Sequence, residues 1–281
     1  MSIPHHLLRK IVEMALEEDI GFGDLTTESI VPNDLYIKAY IITKEEGVIA
    51  GMPVAEEVFK FVDSTINFTS KVSEGEKVKK DEIIAEIQGK AKTILTCERT
   101  ALNFLQRLSG IATFTNYCVD LAKPYGVKIL DTRKTTPLLR ILEKYAVKVG
   151  GGENHRFALY DMVLIKDNHI KIAGSISSAI KRVREKIPPF YKIEVETENL
   201  EQVKEALENK VDIIMLDNMN VKDIKRAVEI IDGKAMIEVS GNIKPEDIKI
   251  IAPLGINFIS MGKLTHSVKS LDISLEVDLN I

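Results

Sequence analysis

The sequence predicts an α/β protein in which a mixed N-terminal domain precedes an α/β barrel. After about residue 124, short apolar runs alternate with amphipathic helical stretches, which is typical of parallel strands covered by helices. Nearly every run ends in polar or charged residues. In a barrel the carboxyl ends of all strands meet on one face, whereas in an open sheet they spread along an edge. Six such runs, at 127–130, 162–165, 193–195, 213–216, 236–239 and 258–259, therefore favour the barrel.

The first hundred residues have a different pattern. Apolar residues recur at helical spacing from about 4 to 19, which predicts a helix. Apolar and polar residues then alternate at 36–43, 66–72 and 83–88, as they do in half-buried antiparallel strands. We therefore expect a small α/β sandwich-like domain at the N-terminus.

A long helix is predicted over 96–123, and Pro124 ends it. The tail, 270–281, alternates again and is expected to return as a strand to the N-terminal domain. The predicted domains are thus 1–123, joined by 270–281, and a catalytic barrel over 124–269.

The composition is that of a soluble globular protein, with 45% hydrophobic and 28% charged residues among 281. A formal net charge of −4 argues against a nucleic-acid binder, which usually has a basic face. No apolar run reaches the roughly 18 residues of a membrane span, and the start lacks a signal-peptide pattern. Cys97 and Cys118, if they share one helix, would lie roughly 30 Å apart, too far for a disulfide. We expect a cytoplasmic protein with reduced thiols.

A cationic stretch between residues 131 and 168 stands out against this acidic background. It contains Arg133, Lys134, Arg140, Lys144, Lys148, His155, Arg156 and Lys166. Two of its segments, 131–136 and 150–156, place cations beside turn residues. This pattern predicts a site for a small, multiply anionic molecule.

Several of these residues also have a structural interpretation. Arg133 and Lys134 follow a strand end, where they could pair with Asp131, but the planar fork of an arginine also matches a carboxylate or phosphate. The three glycines at 150–152 could simply end a helix, although three exceed what a cap requires. Lys166 could be a Schiff-base lysine, but the surrounding cations favour one more anion contact.

The acidic counterpart consists of Glu194, Glu196 and Asp217, at the ends of two neighbouring strands. Strand alternation places the two glutamates on the same side. They could balance the cations, recognise hydroxyl groups, or bind Mg²⁺ together with substrate phosphates. The late loops Ser240-Gly241-Asn242 and Ser260-Met261-Gly262 are candidate phosphate sites, although serine and glycine also suit turns.

Taken together, these motifs resemble those of the quinolinate phosphoribosyltransferases. The segments that carry the resemblance run in order along the chain: ERTALN at 98–103, DTRKT at 131–135, GGENHR at 151–156, LIKDNH at 164–169, EVE at 194–196, LDN at 216–218, SG at 240–241 and GKLTHS at 262–267. The resemblance implies a type II phosphoribosyltransferase fold, in which the α/β barrel is incomplete. It also implies a homodimer, or a higher oligomer built from dimers.

The resemblance further implies a role for each matching residue. Arg99 is expected to reach the site of the partner subunit. Arg133, His155, Arg156 and Lys166 are expected to bind a pyridine dicarboxylate, with Thr132 and Lys134 beside them in the substrate site. Glu196 and Asp217 are expected to face the ribose of phosphoribosyl pyrophosphate and its Mg²⁺. Two loops are expected to bind the 5′-phosphate, namely Ser240, Gly241 and Asn242, and Met261, Gly262 and Lys263. The catalytic residues are predicted to be Glu196, Asp217 and Lys134.

The reaction implied is transfer of a phosphoribosyl group to quinolinate with loss of CO₂. Two alternatives stay open at this point. The same fold could serve another acceptor, or Lys166 could act as the Schiff base of a barrel lyase.

Overall fold

The computed structural model describes residues 3–278, which divide into two compact units. The first comprises the described residues up to Asn116, together with Thr135–Gly151 and the described residues from Leu264 onward. The second comprises Tyr117–Lys134 and Gly152–Lys263. Both units are interrupted in sequence, and the predicted domain limits at residues 123 and 269 stay a prediction.

The helices are α1 (His5–Ile20), α2 (Leu25–Ile30), α3 (Met52–Val62), α4 (Ala91–Ala122), α5 (Arg140–Val149), α6 (Asp167–Ala173), α7 (Ile176–Lys186), α8 (Leu200–Glu208), α9 (Val221–Ile231), α10 (Pro245–Ile251) and α11 (Lys263–His266). The strands are β1 (Tyr36–Thr43), β2 (Gly47–Val48), β3 (Asn67–Ser70), β4 (Lys77–Val78), β5 (Ile83–Lys90), β6 (Lys128–Leu130), β7 (Val163–Ile165), β8 (Ile193–Thr197), β9 (Ile213–Asp217), β10 (Met236–Ser240), β11 (Phe258–Ser260) and β12 (Ile273–Asp278).

The first unit is built on a four-stranded antiparallel sheet in the order β12-β1-β5-β3. Alternate residues of β1 are buried, namely Ile37, Ala39, Ile41 and Thr43, as the sequence pattern predicts. β12 pairs antiparallel with β1, so the described part of the C-terminal segment lies in the N-terminal sheet. Residues 279–281 of that predicted strand lie outside the described residues.

The second unit contains a six-stranded parallel sheet in the order β6-β11-β10-β9-β8-β7. From β7 to β11 each strand lies beside the next one in the chain, so the sheet has no switch point of the kind that defines doubly wound folds. In a complete barrel β6 and β7 would also pair, but no pairing joins them within residues 3–278. The prediction of an incomplete α/β barrel is confirmed.

The two faces of this sheet differ in chemistry because strand side chains alternate. One face is aliphatic and almost fully buried, and it contains Val195, Ile214, Leu216, Ile237, Val239 and Ile259. The other face contains Glu194, Glu196, Asp217, Glu238, Ser240 and Ser260. The polar residues that the sequence places at the strand ends therefore share one face.

Both cysteines lie on α4, where they are buried and unpaired. Burial raises the pKa of Cys97 and of Cys118 to about 12. Among the residues that the structure describes, no helix has the length and apolar character required to cross a membrane.

Candidate active site

The segment from Glu153 to Arg156 lies along the free edge of β6. The Glu153 N–H donates to the Ile129 carbonyl at 2.8 Å, and the Asp131 N–H donates to the Glu153 carbonyl at 3.2 Å. The buried Asp131 carboxylate accepts bonds from the His155 N–H at 2.9 Å and from Asn154 Nδ2 at 2.6 Å. Asp131 thus fixes the segment that presents Arg156 to the sheet.

At two of the three glycines that precede this segment, the local structure itself requires glycine. A Cβ on Gly150 would lie 2.5 Å from the Ala112 carbonyl oxygen. Gly151 has φ +90°, a conformation that favours glycine. The interpretation of this region as a ligand site therefore depends on His155 and Arg156 rather than on the glycines.

His155 lies between two buried carboxylates. Its Nε2 is 3.0 Å from Glu194 Oε2 and 3.4 Å from Glu238 Oε2, and its Nδ1 accepts the Arg156 N–H at 2.8 Å. Burial and the neighbouring Glu238 raise the pKa of Glu194. Because the Arg156 N–H occupies the Nδ1 lone pair, the proton directed at the carboxylates is on Nε2.

Two arginines carry the strongest sign of an anion site. Arg133 Nε is buried and has no hydrogen-bond partner among the described residues. Arg156 donates from Nη1 to the Met162 carbonyl at 3.3 Å. Burial and the positive charge of Arg133 lower the pKa of the Arg156 guanidinium. A buried donor and two mutually repelling cations are both stabilised by an anion bound between them.

Lys166 and Glu196 form an ion pair that connects the cationic and acidic parts of the site. Lys166 is the N-cap of α6, and its backbone N–H donates to His169 Nδ1 at 2.9 Å. Its side chain is 44% exposed, whereas that of Glu196 is 10% exposed. The ion pair is therefore open to displacement by a ligand that approaches from solvent.

The loops after β9 and β10 pack tightly against each other. The Asn218 N–H donates to the Ser240 carbonyl at 3.0 Å, and Asn218 Nδ2 donates to Asp217 at 2.7 Å. Gly241 has φ +105°, and a Cβ there would lie 2.3 Å from Asn218 Oδ1. Gly241 therefore has a packing role, whether or not it contacts a phosphate.

The remaining predicted residues are distributed as follows. Lys134 is exposed, and its N–H donates to Thr132 Oγ1 at 3.0 Å in a turn. The Met261 N–H donates to the Leu130 carbonyl at 2.9 Å, which holds the last loop against β6. Asn242 is exposed at φ +23°, and Lys263 begins α11. Arg99 is exposed on α4, in the first unit, while every other predicted site residue belongs to the second unit.

The sequence analysis missed Glu238, which lies in the middle of β10 and is 1% exposed. The sequence does contain a sign that Glu238 belongs to the site. It is the single carboxylate inside the apolar run 236–239, and strand alternation places it on the same face as Ser240. A charged residue inside an otherwise apolar strand does not by itself indicate which partners it meets in the fold.

An α/β barrel with arginines at one part of its strand ends and carboxylates at another defines an enzyme that binds polyanionic small molecules. The chain belongs to the quinolinate phosphoribosyltransferase family. The C-terminal domain of "Quinolinate phosphoribosyl transferase" matches residues 111–276, and its N-terminal domain matches residues 24–109.

Relatives of this chain are similar over nearly its whole length. The chain is 44% identical to a probable nicotinate-nucleotide pyrophosphorylase [carboxylating] of Bacillus subtilis, with 98% of this chain and 95% of the relative covered. It is 47% identical to the protein of the same name from Methanocaldococcus jannaschii, with 95% and 96% covered. The solved structure of nicotinate-nucleotide pyrophosphorylase from Francisella tularensis is 43% identical, covers 99% of this chain and 98% of its own, and has a TM-score of 0.94.

Proposed function

We propose that this enzyme transfers the phosphoribosyl group of phosphoribosyl pyrophosphate to quinolinate and releases pyrophosphate and CO₂. The product is nicotinate mononucleotide, a precursor of NAD. Membership of the family and the names of the relatives support the reaction. The observation that carries the assignment to the barrel site is the pair Arg133 and Arg156, with its buried Nε and its mutual repulsion.

Quinolinate has two carboxylates on adjacent ring carbons, and the cationic side of the site suits this ligand. We assign one carboxylate to the forks of Arg133 and Arg156, each of which can form two parallel hydrogen bonds. Lys166 is assigned to the other carboxylate together with Thr132. His155 is assigned a supporting place beside them, because its ring nitrogens contact the Arg156 N–H and the buried carboxylates. Binding would draw Lys166 away from Glu196 and release that carboxylate for the second substrate.

The acidic side suits the ribose of phosphoribosyl pyrophosphate and its Mg²⁺. In the register of β8 and β9, Glu196 pairs with Met215, so Asp217 lies on the same face two residues nearer the carboxyl end. Mg²⁺ typically binds one or two carboxylates together with substrate phosphate oxygens, and these residues fit that description. When bound, the ion supplies neutralisation of charge on the pyrophosphate.

The chemistry then requires mainly positioning and electrostatics. The pyridine nitrogen forms a bond to ribose C1 while the bond from C1 to the pyrophosphate oxygen breaks. Glu196 and Asp217 stabilise the positive charge that develops on the ribose, and Lys134 contacts the departing pyrophosphate. The ring becomes a pyridinium, whose positive nitrogen stabilises the electron pair that stays on the adjacent carbon when its carboxylate departs as CO₂. A proton then replaces CO₂ on that carbon.

The 5′-phosphate is assigned to the two glycine loops. Ser240, Gly241 and Asn242 form one part of this subsite, and Met261, Gly262 and Lys263 form the other. The positive φ values of Gly241 and Asn242 turn the backbone sharply at the strand end, which suits close approach of a phosphate to main-chain N–H groups.

We further propose that the working unit is a homodimer, to which each subunit contributes Arg99 at the site of its partner. The exposure of this arginine on α4 is compatible with that role.

The test is incubation of the protein with quinolinate, phosphoribosyl pyrophosphate and Mg²⁺. We expect nicotinate mononucleotide, CO₂ and pyrophosphate in equal amounts by mass spectrometry and a coupled phosphate assay. Nicotinate as the acceptor serves as the matched control, because it lacks the second carboxylate. Folded protein that forms no product from quinolinate, or that prefers nicotinate, would refute the proposal.

A Schiff-base lyase is disfavoured by the surroundings of Lys166. A Schiff-base lysine needs desolvation to become a nucleophile, whereas this side chain is 44% exposed and paired with a carboxylate. Borohydride in the presence of a carbonyl substrate should therefore leave the mass of the protein unchanged.

A further inference from the structure

Glu238 is a carboxylate in the interior of the second unit. The residue is 1% exposed, and neither carboxylate oxygen has a hydrogen-bond partner among the described residues. Among the described residues it pairs with His155 Nε2, which lies 3.4 Å from its Oε2, and it is repelled by the neighbouring Glu194 carboxylate. Burying a carboxylate without a hydrogen-bond partner is unfavourable. The fold therefore contains a local destabilisation at Glu238 that packing alone does not explain.

A cation site is one interpretation of this cluster. The ligand atoms of His155, Glu194 and Glu238 all lie within 4.8 Å of one another. However, a histidine that binds a metal through one ring nitrogen usually donates a hydrogen bond from the other. Here Nδ1 accepts the Arg156 N–H at 2.8 Å, which leaves the proton on Nε2, between the carboxylates. The cluster is thus arranged as a hydrogen-bonded group.

The contacts of His155 connect the buried carboxylates to Arg156. Nε2 of the ring is held by Glu194 at 3.0 Å and by Glu238 at 3.4 Å. Nδ1 on the opposite side of the ring accepts the main-chain N–H of Arg156. The ring is therefore a rigid link between strands β8 and β10 and the backbone from which the Arg156 side chain extends.

The position of Arg156 needs such a link. Arg133 repels the guanidinium, which Glu194 and Asp161 attract, and its hydrogen bond to the Met162 carbonyl is long, at 3.3 Å. The segment that carries it lies on the edge of β6 and is not part of the main ladder. Asp131 fixes the segment on the β6 side, and the histidine ring fixes it from within the sheet.

We propose that Glu238, together with Glu194, is a positioning residue for Arg156, and that it acts through the imidazole of His155. The role rests on the proposed function, because the ligand of Arg156 is taken to be a carboxylate of quinolinate. Glu238 touches no substrate and takes no part in proton transfer. It keeps the ring in the orientation that aims Arg156 at the acceptor.

Two substitutions of Glu238 distinguish the effect of the position of its carboxylate from the effect of its charge. Glu238→Asp keeps the negative charge but withdraws the carboxylate by one methylene, beyond reach of Nε2. Glu238→Gln keeps the reach and an acceptor oxygen but removes the charge. Loss of the hydrogen-bond partner that orients a metal-binding histidine typically costs about tenfold or more in affinity or activity, and we take the same scale for this histidine. We therefore expect Glu238→Asp to raise Kd and KM for quinolinate about tenfold, with kcat and KM for phosphoribosyl pyrophosphate within about twofold of wild type. Glu238→Gln should stay within about threefold of wild type in all of these.

The matched control is Glu205→Asp, the same substitution in the same unit. Glu205 accepts bonds from the Ser177 N–H and Oγ, both at 2.8 Å, and makes no contact with His155. The Glu205→Asp variant should have a lower melting temperature than wild type but the same Kd for quinolinate. Binding is measured by isothermal titration calorimetry, and folding is verified by circular dichroism for every variant.

A double-mutant cycle tests the path through Arg156. In an Arg156→Lys background, Glu238→Asp should change Kd for quinolinate by less than about twofold, because the group that it positions has gone. An equal loss in both backgrounds would overturn the proposal, as would a greater loss for Glu238→Gln than for Glu238→Asp. Wild-type protein that binds no quinolinate would refute the proposed function and this role with it, whereas tight binding by both wild type and Glu238→Asp would refute only the role.

Discussion

Replacing Arg133 by alanine removes the guanidinium whose Nε is buried without a hydrogen-bond partner. The planar fork offers a carboxylate two parallel charge-assisted hydrogen bonds, each worth about 1.5–3 kcal/mol. Because Arg133 is only half-buried, the lower value is appropriate for each bond. The sum, about 3 kcal/mol, corresponds to a rise of roughly 150-fold in Kd for quinolinate.

The same change should leave the fold intact. Alanine removes an unsatisfied buried donor and the repulsion that acts on Arg156, so the free energy of unfolding should change by less than about 1 kcal/mol. Binding is measured by isothermal titration calorimetry at about 0.15 M salt, and stability by urea denaturation. Arg184→Ala is the control, since that arginine donates to the Asn209 and Lys210 carbonyls at 2.7 and 3.0 Å. Folded Arg133→Ala that binds within about threefold of wild type would refute the assignment, as would an equal loss in the control.

Three further predictions concern assembly, a glycine and the thiols. If each site combines two subunits, mixing inactive Arg99→Ala and Lys134→Ala proteins should restore about a quarter of wild-type activity, because mixed dimers have one intact site. No recovery of activity after subunit exchange would argue against the shared site. Gly241→Ala places a Cβ 2.3 Å from a neighbouring side-chain oxygen at φ +105°, so it should destabilise the protein by about 1–3 kcal/mol in urea and raise KM for phosphoribosyl pyrophosphate. Wild-type stability in that variant would contradict the packing role. Both buried cysteines should resist iodoacetamide in the folded protein at about pH 8 and react in urea, as mass spectrometry would detect. Burial raises each thiol pKa from 9.0 to about 12. The contribution of the buried neutral thiols to the free energy of unfolding is therefore fully present below pH 9.0 and is lost as the pH rises toward 12. Rapid labelling of either cysteine in the folded protein would contradict the burial of the thiols.

The sequence predicted the elements in which the regular spacing of apolar residues is long and unbroken. The alternation of 36–43 corresponds to β1, and the long helical pattern corresponds to α4, which begins earlier, at Ala91. The six apolar runs correspond to the six parallel strands, since buried parallel strands have little polar interruption. Local pattern was sufficient where local burial decides the structure.

The missed helices depend on contacts that a local pattern does not contain. α3 begins at Met52 after Gly51, and the carboxylate of Glu74 accepts both N–H groups at 2.7–3.0 Å. That cap comes from a distant hairpin, so no capping residue precedes the helix in sequence. α6 was missed for a different reason. It starts directly after Lys166, so no turn residues separate it in sequence from β7.

The candidate site was predicted in its chemistry but not in its internal connections. Cations and carboxylates at strand ends are visible in sequence because barrels place those ends together. That Glu196 holds Lys166, or that His155 lies between Glu194 and Glu238, depends on rotamers and strand register. Such pairings are decided in three dimensions and have no signature in residue spacing.

The gap between β6 and β7 has a consequence for how acceptor preference can change. Residues 153–156 line that gap and pair with a single strand edge, at the Leu130 and Glu153 bridge. Insertions or substitutions in this segment alter the acceptor pocket while every hydrogen bond between the six strands is preserved. A directed library at Arg156 and the neighbouring 152–154, with Gly150, Gly151 and His155 kept because their contacts hold the segment, is therefore the economical place to seek a new acceptor.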